Sequence, residues 1–235
     1  GLRKLGDPHD FALRYYRQGV DELLYLDTVA SLYERNNLGS ILRRTTEDVF
    51  IPITAGGGLR SAEDVGDALK AGADKAAINT AALRDPSLIT RVARAYGSQC
   101  MVLSVQAKRR DRDRPEAGWE AYYDNGREHS GRDALEWVRE AVSLGAGEIL
   151  LTGVDCEGFR RGMDEALIAA VTALVDVPVI AAGGASGADD LIRAAQNGAD
   201  AVAVGSILHY EMAEVPQLKR ALRDAGIGVR VCGAL

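Results

Sequence analysis

The stretch IPITAGGGLRSAEDVGDALKAGADKAAINT, residues 51–80, decides the fold because the chain contains it twice. Without a gap, VPVIAAGGASGADDLIRAAQNGADAVAVGS at 177–206 lies on it 126 residues later. The identities include Pro52/Pro178, Gly57/Gly183, Gly58/Gly184, Asp64/Asp190, Gly72/Gly198 and Asp74/Asp200. Each copy reads as an apolar strand, a glycine-rich turn, an amphipathic helix, a Gly-Ala-Asp turn and a second apolar strand. The second strand ends in Asn79-Thr80 in one copy and Gly205-Ser206 in the other. Glycine-rich turns between strand and helix hold anions, because backbone N–H groups face the ligand and no side chain blocks its approach. Two copies imply two anion sites related by an internal two-fold and suited to a ligand with two phosphates. The alternative is that the glycines only make tight turns.

The same offset reaches further out. Asp7 matches Asp133, Gly19 matches Gly145, Glu22 matches Glu148 and Leu24 matches Leu150, so the duplicated unit covers residues 7–80 and 133–206. Asp7-Pro8 reads as a helix cap followed by proline at the first helical position. A helix is expected over 40–47, another up to Tyr96, and apolar strands beginning near 22, 50, 75, 101, 148, 177 and 200. The strand MVLSV at 101–105 is followed by a basic turn, Lys108-Arg109-Arg110. WEAYYDNGREHS at 119–130 alternates around Asn-Gly, which predicts a small hairpin inserted near 111–132.

Apolar strands alternating with helices predict the α/β class, a parallel sheet covered by helices. Two half-barrel repeats would close a (β/α)8 TIM barrel, expected as a single domain over 1–235. The strands number seven. The 101–105 strand should have a partner 126 residues earlier, before Gly1, so the first strand of such a barrel is expected to be absent from this chain.

Composition narrows the function classes. With 235 residues, 47% of them hydrophobic, the chain can bury one large core. A net charge of −6 argues against nucleic acid as a partner. No apolar run reaches membrane-spanning length. Cys100, Cys156 and Cys232 show no CxxC spacing, and His9, His129 and His209 are isolated, so no metal or cofactor is expected and a cytoplasmic location fits.

Reactive groups of such a barrel lie on loops after the C-terminal ends of the strands. There Gly57, Gly58, Asn79 and Thr80 can converge on one phosphate, and Gly183, Gly184, Gly205 and Ser206 on another. Asp27 and Asp155, with Glu157 close by, are the carboxylates available for proton transfer, and Glu157 is expected among the substrate- and phosphate-binding residues; Gln106, just after the 101–105 strand, cannot carry a proton at neutral pH. Glu22, Lys75 and Glu148 stand at the starts of alternate strands, where they could ring the opposite end of the barrel as paired charges or simply be solvated.

Several segments together resemble the cyclase subunit of imidazole glycerol phosphate synthase, the HisF family. They are DELLYLD at 21–27, FIPITAGGGLRS at 50–61, GADKAAINTAAL at 72–83, YGSQCMVLSVQAKRR at 96–110, GAGEILLTGVDCEGFRRGMD at 145–164 and PVIAAGGASG at 178–187. The resemblance implies a barrel that takes ammonia from a separate glutaminase subunit (HisH-like) docked at its N-terminal face. The ammonia would pass along the axis to a ribulosyl-type substrate with two phosphates, giving imidazole glycerol phosphate and an aminoimidazole carboxamide ribotide. It further implies that Gly58, Asn79 and Thr80 hold one phosphate, and Gly158, Gly184, Gly205 and Ser206 the other. Glu22, Lys75 and Glu148 would be three of the four charged residues of an ammonia gate.

The sequence also departs from the family. Of its two catalytic aspartates, one would lie on the first strand and the other is replaced by Gln106. The cyclase reaction is therefore expected to be severely impaired. Glu157 stands for the usual loop aspartate, and Phe159 for a threonine. ASLYERNNL at 30–38 looks more like a HisF-like branch found with surface-sugar biosynthesis. In that alternative an ammonia-conducting subunit serves a separate sugar amidotransferase.

Overall fold

The computed structural model of the protein describes residues 5–28 and 38–230. Seven parallel strands form one sheet: β1 (Leu23–Leu26), β2 (Ile53–Gly56), β3 (Lys75–Ile78), β4 (Met101–Arg109), β7 (Glu148–Gly153), β8 (Val179–Ala182) and β9 (Ala201–Ala203). They pair in that order, with registers such as Leu23↔Ile53, Ala76↔Met101, Val102↔Glu148 and Ile180↔Ala201. Helices on the outer face connect them: α1 (Pro8–Arg17), α2 (Leu38–Thr45), α3 (Ala62–Lys70), α4 (Thr80–Arg84), α5 (Ser87–Tyr96), α6 (Ala134–Leu144), α7 (Glu165–Thr172), α8 (Ala188–Gln196), α9 (Ser206–His209) and α10 (Val215–Asp224). The architecture is that of a (β/α)8 barrel, with β1 and β9 as the end strands among the described residues. Most of ASLYERNNL lies outside the described residues.

The sequence repeat is a repeat of contacts. Asp7 accepts the His9 N–H at 2.9 Å and Asp133 the Leu135 N–H at 2.9 Å, each capping the helix that opens its unit. Asp74 accepts the Ile53 N–H at 2.8 Å and Asp200 the Val179 N–H at 2.8 Å, tying the start of one strand to the turn before its neighbour. Asp64 accepts from Arg60 N at 2.8 Å and Asp190 from Ser186 N at 2.7 Å, closing the turn into the helix. A Cβ on Gly72 would lie 2.5 Å from Thr46, and one on Gly198 would lie 2.8 Å from Thr172. These matched residues therefore hold backbone together rather than facing a ligand.

The structure departs from the sequence reading in several places, among them the strands expected near 50 and 177, which begin at Ile53 and Val179. The helix expected over 40–47 runs Leu38–Thr45. The short helices α4 and α9 start at Thr80 and Ser206, again matched positions. The strand expected to stop at 105 continues to Arg109, so Gln106, Lys108 and Arg109 are strand residues rather than loop or turn. The hairpin causes this: β5 (Trp119–Tyr123) pairs antiparallel with 106–109 and with β6 (Glu128–Asp133), supplying hydrogen bonds that the polar extension would otherwise lack.

Period-two alternation sorts side chains into an outer core and an axial stack. Leu42, Val92, Ile89, Trp137 and Val171 belong to the core between sheet and helices, each large buried side chain contributing about 1.5–3 kcal/mol. A second buried cluster, Ala77, Val102 and Leu150 with Leu24, Ile180, Ala182 and Ala203, fills the inner face of the sheet. One step towards the N-terminal strand ends come Glu22, Lys75 and Glu148; one step the other way come Leu26, Asn79, Ser104 and Thr152.

Candidate active site

A cavity of about 630 Å³ opens at the C-terminal ends of β1, β2, β3, β4 and β7, lined by Asp27, Gly57, Gly58, Asn79, Thr80, Ser104, Gln106, Thr152 and Glu157. Gly57 and Gly58 have φ of +91° and +76°, a region open to glycine and strained for other residues. A Cβ on Gly57 would stand 2.2 Å from the Asp27 carbonyl oxygen, so this turn closes tightly on the end of β1.

The tip of the hairpin covers one side of the cavity. Gln106 Oε1 accepts from Asn79 Nδ2 at 2.9 Å and from Gly126 N at 2.9 Å. Asn79 Nδ2 also donates to the Tyr122 carbonyl at 3.1 Å, which fixes the orientation of its amide and leaves the buried Asn79 Oδ1 without a partner. The Thr80 hydroxyl lies 3.4 Å from an Asp124 carboxylate oxygen and accepts the Asp124 N–H at 3.2 Å. Arg84 pairs with the same carboxylate at 3.7 Å. Asp124, Asn125 and Gly126 all have positive φ, which bends the tip inward.

The other predicted set lies off this cavity. Gly158 follows β7, Gly183 and Gly184 follow β8, and Gly205 and Ser206 follow β9, on three neighbouring strands. At Gly184 the close approach is by protein: a Cβ there would be 2.2 Å from Gly162 O and 2.7 Å from Cys156, and Gly162 N donates to Gly184 O at 3.1 Å. Gly158 and Phe159 are exposed on the loop that makes this contact.

That loop is pinned from β4. Asp155 accepts from Arg109 N at 2.9 Å and pairs with Arg112 at 2.8 Å. Burial would raise its carboxyl, but these partners outweigh that and hold it below the usual carboxylate range. Asp164 receives the Trp119 indole N–H at 2.9 Å and Arg109 at 2.9 Å while capping α7. Glu157 differs: it lines the cavity mouth with no hydrogen bond or ion pair to any described side chain, and desolvation raises its carboxyl although the residue is accessible.

At the opposite end, Lys75 Nζ lies 2.7 Å from Glu22 and 2.6 Å from Glu148. Burial works against the ammonium, but the bonds to Glu148 and Glu22 outweigh it and raise the lysine above its ordinary value. Thr54 donates to Glu22 at 2.7 Å. The three charged side chains therefore form one paired cluster on the inner face, below the apolar layer.

Asp124 and Arg127 at the cavity were missed by sequence reasoning because the hairpin lies outside the repeat, and Arg84 because it falls just beyond the repeat's end at residue 80. Ser104 and Thr152 carried a usable signal. Each is polar in an apolar strand and in phase with Gln106 or Glu148. Among the described residues no group of three or more His, Cys, Asp or Glu could hold a metal, and no helix is long and apolar enough to cross a membrane.

Comparison with known proteins agrees with this geometry. A family model described as "Histidine biosynthesis protein" matches residues 1–214. The chain is similar to the imidazole glycerol phosphate synthase subunit HisF of Myxococcus xanthus, 49% identical over 98% of this chain and 89% of that protein. The HisF subunit of Bifidobacterium adolescentis is 47% identical over 97% and 90% of the two chains. That of Legionella pneumophila is 55% identical over 78% and 85%. None of these names points to surface-sugar synthesis, so that alternative gains no support. A duplicated half-barrel, an axial charge cluster and similarity over nearly the whole chain lead to one assignment: the chain belongs to the histidine-biosynthesis protein family, in its HisF branch.

Proposed function

We propose that this chain is the cyclase subunit of imidazole glycerol phosphate synthase, a cytoplasmic lyase of histidine biosynthesis. It uses ammonia to convert a ribulosyl substrate with two phosphates into imidazole glycerol phosphate and an aminoimidazole carboxamide ribotide. The observation that carries this reading is the axial stack. Glu22, Lys75 and Glu148 sit at one end of the inner face, the apolar layer of Ala77, Val102 and Leu150 lies above them, and the polar cavity lies above that. A neutral small molecule such as ammonia crosses an apolar layer at far lower cost than an ion.

A glutaminase of the HisH type docks at the N-terminal face in this proposal. Phe50, 75% exposed just before β2 and packed edge-on to Tyr16, offers that partner an apolar contact at the same end of the sheet. One phosphate of the substrate is held by Gly57, Gly58, Asn79 and Thr80, and the other by Gly158, Gly183, Gly184, Gly205 and Ser206. Binding the first requires the Thr80 hydroxyl and Arg84 to leave Asp124, since a carboxylate and a phosphate compete for the same donors. Purified chain supplied with ammonium chloride and the bis-phosphate substrate at alkaline pH is expected to release imidazole glycerol phosphate. Absence of product would overturn the assignment. Mixed with its glutaminase, the chain is expected to raise glutamine hydrolysis.

A further inference from the structure

The residue at position 106, where the family resemblance implies a proton-carrying aspartate, is an amide with its oxygen committed to Asn79 and Gly126. Condensing ammonia with a carbonyl requires protons to move, and the share that an aspartate at position 106 would carry falls to another group. Among the described residues, four carboxylates are available in the lining of the cavity. Asp85 is held by Ser87 and Arg91, Asp124 by Thr80 and Arg84, and Asp27 has partners of its own. Glu157 lacks a side-chain partner among the described residues. Its backbone is nonetheless well placed: Cys156 N and Glu157 N both donate to Gly153 O, at 3.1 and 3.0 Å, anchoring the turn to the last residue of β7.

We infer that Glu157 is a general acid and base of this cavity, doing the proton transfer that Gln106 cannot. The inference rests on the proposed cyclase reaction. Ammonia adds through its lone pair to the carbonyl carbon of the ribulosyl chain, the π pair moves to oxygen, and one ammonia proton follows it to give a carbinolamine. Neutral Glu157 then donates its proton to the hydroxyl, the C–O bond breaks, water leaves, and the nitrogen lone pair forms C=N. The iminium returns its extra proton to the Glu157 carboxylate, so the acid is regenerated. A carboxyl raised by desolvation retains its proton nearer to neutral pH, as the donating step needs. The other charged groups in the lining are Asp27, Arg60, Arg84, Asp85, Asp124 and Arg127. Desolvation is the cause of the rise.

Wild type, Glu157→Gln and Glu157→Asp are compared with ammonium chloride and the bis-phosphate substrate, from acid to alkaline pH. Substrate binding to each protein is measured by calorimetry. Glu157→Gln is expected to lose about 100-fold or more in kcat with KM and binding changed by less than about threefold. It should also lose one limb of the kcat–pH profile, and Glu157→Asp should keep that limb with partial activity. Turnover by Glu157→Gln equal to wild type overturns the inference while leaving the cyclase reading intact. Equal losses of binding and turnover also overturn it, since they mark a binding role. No turnover by wild type overturns both.

Discussion

Gln106 and Asn79 are joined amide to amide: Gln106 Oε1 accepts from Asn79 Nδ2 at 2.9 Å, and the same oxygen accepts from Gly126 N at 2.9 Å. One side chain thus ties β3, β4 and the hairpin tip together. Gln106→Ala should leave these donors short of an acceptor and cost about 1–3 kcal/mol, read as a drop of several degrees in melting temperature. Gln106→Glu keeps an oxygen at the same reach, so its melting temperature should stay close to that of the wild type. A glutamate variant as unstable as the alanine variant would show that the contact does not depend on the acceptor oxygen.

Lys75 neutralises two carboxylates at once. Lys75→Met leaves Glu22 and Glu148 facing each other, which should cost about 2 kcal/mol, less than a fully buried pair because all three are partly accessible. The double variant Lys75→Met/Glu148→Gln should recover part of this in urea unfolding. The raised lysine makes its contribution at every pH below the ordinary value of 10.5, and that contribution is lost only as pH climbs beyond it. The wild type should therefore show an alkaline fall in stability that Lys75→Met lacks.

Two glycines of the same loop system should respond differently. Gly184 and Gly158 have φ of +94° and +79°, but only a Cβ on Gly184 meets backbone, at 2.2 Å from Gly162 O. Gly158→Ala should cost the left-handed backbone penalty alone, about 1–2 kcal/mol. Gly184→Ala should exceed that by at least about 2 kcal/mol and loosen the loop carrying Glu157, read as faster proteolysis near Phe159. Equal costs would mean the loop shifts freely.

Asp190 governs the acid side. Burial would raise its carboxyl, but the Ser186 hydroxyl at 2.6 Å, the Ser186 N–H at 2.7 Å and Arg193 hold it below its ordinary value. A lowered folded value stabilises above the unfolded value of 3.8 and is lost as pH falls through that range. Asp190→Asn should cost about 1–3 kcal/mol at neutral pH, with the gap from wild type closing in urea titrations below pH 3.8.

Much of the strand, turn and helix pattern that repeats 126 residues apart is set by local rules: apolar runs, glycines at positive φ, and aspartates such as Asp7, Asp64 and their matches capping helices or turns a few residues away, while Asp74 and Asp200 reach back to Ile53 and Val179. Those rules made the parallel α/β architecture, the inserted hairpin and the candidate anion turns readable from the chain alone. The same rules missed α4 and α9, which are too short to show a period, and the length of β4, which depends on a partner strand. Side-chain commitments across the fold were equally hidden. Gln106 is spent on Asn79 and on a hairpin tip twenty residues away, Asp124 covers Thr80, and Asp155 is taken by Arg109 and Arg112. Partner choice of this kind depends on which groups converge in space after the strands have paired, and no local pattern encodes it. The sequence marked Glu157 as a loop carboxylate expected to bind substrate; that it alone of the cavity's described carboxylates has no side-chain partner came only from the folded chain.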